Sequence, residues 1–78
     1  MKLTALKQKK VAIIQHVYLP EKQSLQLFHL GFYQGAKIEW IRFAPFHDPC
    51  LYKVSGNYIM LRNLEAAYIQ VKEIDFYE

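Results

Sequence analysis

His47, Asp48 and Cys50 lie within one four-residue stretch and offer an imidazole nitrogen, a carboxylate oxygen and a thiol. Such donors suit a divalent transition metal, zinc above all. A structural zinc site takes four ligands, however, and no second cluster accompanies these three. His16 and His29 are distant in the chain, and no spacing brings them near. The competing reading leaves His47 and Asp48 as exposed loop residues and packs Cys50 as a small hydrophobe. That reading is preferred here, so no tightly bound cofactor is expected. Any metal at the loop should bind weakly, bridging two chains rather than closing a site within one.

The same residues make a poor catalytic set. Cys50 as nucleophile and His47 as base need a third, orienting group and a pocket. The chain never reads Gly-Lys-Ser or Gly-Lys-Thr, and its middle holds no paired carboxylates. The expectation is a non-enzyme.

Apolar residues make up 53% of the 78 and charged residues 22%, which excludes a disordered tail and fits one small globular domain over 1–78. The longest uncharged run, Gln23 to Ala36, is broken by Gln23, Ser24, Gln26, His29 and Gln34. It is too polar and short to cross a bilayer as a helix, and no signal peptide precedes it. Cys50 is the single cysteine, so no internal disulfide forms, as suits a reducing cytoplasm. The net charge of +3 is unevenly spread: Lys2, Lys7, Lys9 and Lys10 lead, and Glu73, Asp75 and Glu78 close the chain. Nucleic-acid domains concentrate Lys and Arg on one face or stripe. A basic RNA-binding barrel is therefore the least favoured alternative.

Sparse Gly and Pro punctuation marks out the elements. Val11 to Tyr18 is rich in β-branched residues and reads as a strand, with adjacent Ile13 and Ile14 implying a bulge or two buried faces. Pro20 and Glu21 open a short helix near 21–30, on which Leu25, Leu27, Phe28 and Leu30 form an apolar stripe. Gly31 should cap it in a left-handed conformation, with Phe32 folding back on the last turn. Gly35 should supply positive φ at the third position of the next turn. Ala36 to Ala44 alternates as a strand, and Ala44-Pro45-Phe46-His47-Asp48-Pro49 is a loop. Strands at Cys50 to Ser55 and Tyr58 to Arg62 should join through a tight turn at Gly56-Asn57. One helical turn over Asn63 to Ala67 and a strand from Tyr68 to Lys72 complete the chain. Five short strands with one short helix predict a mainly β fold, a small barrel.

Leu27-Phe28-His29-Leu30-Gly31-Phe32, Gly35-Ala36-Lys37-Ile38, the 44–49 loop, Leu61-Arg62 with Glu65-Ala66, and Ile69-Gln70-Val71 together resemble the FeoA family. The resemblance covers roughly positions 11 to 72. Four places depart from the family's usual pattern: Lys9-Lys10, Gln26, Gln34 and Phe46-His47. The resemblance implies an SH3-like five-stranded barrel in the cytoplasm that partners FeoB, the GTPase-linked ferrous iron transporter. Such a partner would recruit it to the inner face of the cytoplasmic membrane, without insertion. Related domains occur in DtxR-type repressors, so a dimerisation or peptide-binding module of a metal-responsive repressor is the main alternative. Homo-oligomers fit either reading.

Alternation offers a working surface. Ile38 and Trp40 point one way, whereas Ile41 and Phe43 fall on the side of Lys37 and Glu39, and Leu51 and Lys53 on the returning strand can join them. With Phe46 at the loop, Ile41, Phe43 and Leu51 form a candidate partner-binding patch, unless the N-terminal segment covers it.

Overall fold

The computed structural model describes residues 1–6 and 10–74. Lys7, Lys9, Asp75 and Glu78 lie outside them, and with them much of the charge asymmetry. A 3₁₀ turn, Leu3–Ala5, leads into β1, Val11–Val17, and α1, Glu21–His29. Strand β2, Lys37–Phe43, then runs to a second 3₁₀ turn, Pro45–His47. After it come β3, Cys50–Val54, and β4, Asn57–Leu61, then α2, Asn63–Ala66, and β5, Ile69–Ile74. The strands form one antiparallel sheet in the order β4-β3-β2-β1-β5, wrapped on a single core. The mainly β expectation holds, with element ends shifted by a residue or two.

Burial shows which side chains hold the sheet together. Ala12 and Ile14 of β1, Ile38 and Trp40 of β2, and Cys50, Tyr52 and Val54 of β3 point inward, with Leu61, Ile69 and Val71. This is the period-2 alternation of strands with one face in the core. The β1 irregularity lies at Gln15, between the Ile14 and His16 pairings with β5, so Ile14 is buried and Ile13 half-buried.

The first six residues do more than carry charge. Leu3 and Leu6 are buried in the core. The Met1 amine donates to the Val71 carbonyl at 2.9 Å, the Val71 N–H donates back to the Met1 carbonyl at 2.8 Å, and Lys2 bridges to Gln70. Through residue 6 the segment therefore packs against β5 and α2. Lys10 continues the link with an exposed ion pair to Glu73 at 3.8 Å.

Three expectations need correction. On α1 only Leu27 is buried, while Leu25, Phe28 and Leu30 stay substantially exposed. A nine-residue helix lying on the sheet buries a narrow strip, and Phe32 beyond the cap fills the space instead. The β3–β4 turn is Ser55-Gly56, not Gly56-Asn57, because Asn57 already pairs with Val54. Ser55 and Gly56 have φ of 50° and 82°, the two positive angles that a two-residue hairpin turn requires. The third correction concerns the site.

Candidate partner-binding surface

A bulge in β2 rearranges the predicted patch. Trp40 pairs with Tyr52, but Arg42 pairs with Leu51 and Phe43 with Cys50, so Ile41 is the extra residue. One inserted residue reverses the alternation beyond it. Phe43 therefore leaves the side of Lys37 and Glu39 and joins that of Trp40, Tyr52 and Cys50. Its ring meets Trp40 edge-on at 5.1 Å and His47 at 4.6 Å. The four candidates thus split. Ile41 and Leu51, both half-buried, belong to the outer face with Arg42 and Lys53. Phe43, half-exposed, ends an aromatic row on the other.

Phe46 stands by itself. It is 96% exposed at φ 67°, and His47 follows at φ 65°. L-residues avoid that region at a cost of roughly 1–2 kcal/mol each, so the surrounding bonds must hold the loop in place. Those bonds are present. The Ala44 N–H donates to the Pro49 carbonyl at 2.9 Å and the His47 N–H to the Ala44 carbonyl at 3.0 Å. Asn63 of α2 donates its side-chain amide to the His47 carbonyl at 3.1 Å and its backbone N–H to Asp48 Oδ1 at 2.9 Å. The strained loop is fastened to α2 and holds a phenyl ring out in water.

The metal candidates are accounted for by the same contacts. Asp48 caps α2, the His47 ring lies against Phe43, and Cys50 is buried with its thiol donating to the Arg42 carbonyl at 3.5 Å. Burial pushes the Cys50 thiol up from its ordinary range, so it stays protonated and a poor ligand. Among the described residues no group of three or more His, Cys, Asp or Glu is arranged to hold a metal ion. These side chains do not fit a closed site within one chain.

Sequence reasoning missed a second surface. Tyr18, Leu19, Pro20, Gln23, Leu64 and Tyr68 line an open groove of about 350 Å³ beside α2. Its signal was a tyrosine at an element end on each side, Tyr18 after β1 and Tyr68 before β5.

Five short antiparallel strands in one sheet, with α1 between the first two in the chain, define an SH3-like domain. The FeoA domain profile matches residues 1–73, and the chain belongs to the FeoA family. The solution structure of a FeoA protein from Chlorobium tepidum is 33% identical, with a TM-score of 0.92 over 100% of this chain and 74% of that one. A Stenotrophomonas maltophilia FeoA complexed with zinc, described as a procaryotic SH3 domain protein, is 26% identical, with a TM-score of 0.78 over 92% of this chain and 89% of its own. The repressor ScaR with bound Zn²⁺ shares the fold, with 24% identity, a TM-score of 0.81 and coverage of 95% here and 37% there. No curated protein matches. None of the described helices is long and apolar enough to cross a membrane.

Proposed function

We propose that this chain is a cytoplasmic accessory of ferrous iron uptake that docks, through the 44–49 loop, on the cytoplasmic region of a FeoB-type transporter. The observation that carries the docking site is Phe46, a phenylalanine 96% exposed at a strained φ on a loop that is tied down at both ends and to α2. Strain at such a position persists where function uses it. Phe43 and His47 beside it, with Ile41 and Leu51 on the adjoining outer face, extend the contact. The iron connection comes from family membership and from the S. maltophilia relative, described as a candidate activating factor of ferrous iron transport. Iron is cargo in this reading, and the module acts by protein contact.

Burying one phenylalanine side chain contributes roughly 1.5–3 kcal/mol, or about 10- to 100-fold in affinity. Phe46→Ser should therefore weaken capture of the transporter's cytoplasmic region by that factor and leave thermal unfolding nearly unchanged. Trp40→Ala, which opens a cavity in the core, should cost roughly 3–5 kcal/mol of stability instead. Normal capture by a well-folded Phe46→Ser variant would overturn the assignment.

A further inference from the structure

The two edges of the sheet are finished differently. Strand β5 is covered on its open side by Met1 and Lys2, and it carries Lys72 and Glu73. Strand β4, at the other edge, reads Asn57-Tyr58-Ile59-Met60-Leu61, with no charge, no proline and no bulge in its five pairs with β3. Natural sheets ordinarily guard their edges with such devices.

The pairing shows which groups β4 leaves open. A two-residue turn closes on a hydrogen-bonded pair, here Val54 and Asn57, and such pairs alternate along an antiparallel ladder. Tyr52–Ile59 and Cys50–Leu61 are then hydrogen-bonded pairs, whereas Lys53–Tyr58 and Leu51–Met60 are not. The backbone N–H and C=O of Tyr58 and Met60 therefore point away from β3. Among the described residues neither makes a backbone hydrogen bond outside the strand ladder, and their side chains are 62% and 51% exposed.

We infer that this edge pairs with β4 of a second copy of the chain, antiparallel about a two-fold axis through Ile59. The open groups lie one residue to either side of Ile59, so this register sets Tyr58 against the second copy's Met60 on both sides of the axis. All four open N–H groups and carbonyls of the two Tyr58 residues and two Met60 residues become paired. Moving the axis by one residue, to Tyr58 or to Met60, leaves half of them without a partner among these groups.

The side chains agree with the backbone. Lys53 already sits over the Tyr58 ring at 5.5 Å, and Leu51 lies opposite Met60. Across the joint the outer-face row becomes Lys53, Tyr58, Met60, Leu51, with sulfur against an aromatic ring at its centre and no like charges facing. Two half-exposed side chains per copy bury far less than the roughly 1,200 Å² of stable interfaces, so the dimer is weak and governed by concentration. The inference does not depend on the transporter reading, because the 44–49 loop is no part of this edge.

Amide hydrogen exchange and sedimentation on the full chain test it together. At about 10 µM, the Tyr58 and Met60 amides should exchange freely between protected Ile59 and Leu61. At about 1 mM, the two amides should gain at least tenfold protection while the average mass rises toward a dimer. Met60→Lys, an exposed substitution that restores an edge charge, should keep the fold and remain monomeric throughout. Free exchange of both amides at the higher concentration overturns the inference. So does association that Met60→Lys leaves intact, which would place the contact on another surface such as Phe46.

Discussion

Two turns flank β2, and both use positive φ, with different residues. In the segment 31–36, Gly31 and Gly35 take φ of 105° and 92°. Gly31 closes α1: the Phe32 N–H reaches the Leu27 carbonyl at 2.8 Å and the Gly31 N–H the Phe28 carbonyl at 3.1 Å. In the loop 44–49 the positive angles fall on Phe46 and His47. Gly31 is buried where it closes α1 against the core, and Gly35 is exposed where the chain turns into β2; both build the fold. An aromatic and an imidazole stand where the turn projects into solvent. The contrast separates a turn made for the core from one made for presentation.

Breaking the first turn should have the larger effect. A Cβ at Gly31 would meet Ser55 Cβ at 2.8 Å, whereas one at Gly35 would meet nothing within 4 Å. Gly31→Val should therefore cost about 2–4 kcal/mol in urea unfolding, since steric overlap adds to the φ penalty. Gly35→Ala, facing the φ penalty alone, should cost about 1–2 kcal/mol. Equal costs would mean that contact with Ser55 contributes nothing.

In the second turn the leverage lies in its fastening. Asp48→Ala removes the acceptor for the Asn63 N–H, and loss of a helix cap typically costs about 1 kcal/mol. The same variant tests the metal reading, because any divalent ion held at the loop through Asp48 would be lost with it. The smallest effect carries the opposite sign. Phe46→Gly relieves a left-handed phenylalanine, and after the added freedom of the unfolded chain it should still gain about 0.5 kcal/mol. For a domain of this size the melting temperature should rise by about 2–4 °C. Stability gained while transporter capture is lost would show that the loop trades folding for contact; a large loss of stability would show Phe46 to be structural.

Much of the fold was legible from local chemistry. Gly31 with Phe32, Gly35 in its turn and the β-branched run from Val11 each announce a structure that neighbouring residues decide. The site was less legible, for identifiable reasons. Ile41 looks like any strand residue, and only pairing with β3 turns it into a bulge that moves Phe43 to the other face. Asp48 looks like a ligand until folding brings Asn63 to it across fourteen intervening residues. Ser55 carries a positive φ that residue type alone would have assigned one place later, to the pair Gly56-Asn57.

What the sequence determined by itself is the set of short-range preferences: strand length, helix cap, turn positions and the residue types of the loop. These follow from backbone sterics and from hydrogen bonds that close within a few residues. Tertiary structure decided which apolar side chains are core. Leu3 and Leu6 are buried because β5 and α2 offer them a place, while Leu25 and Phe28, no less apolar, stay in water because α1 touches the sheet along one strip. Burial depends on what lies opposite a side chain in space, and for this chain most of that comes from residues far away in the sequence.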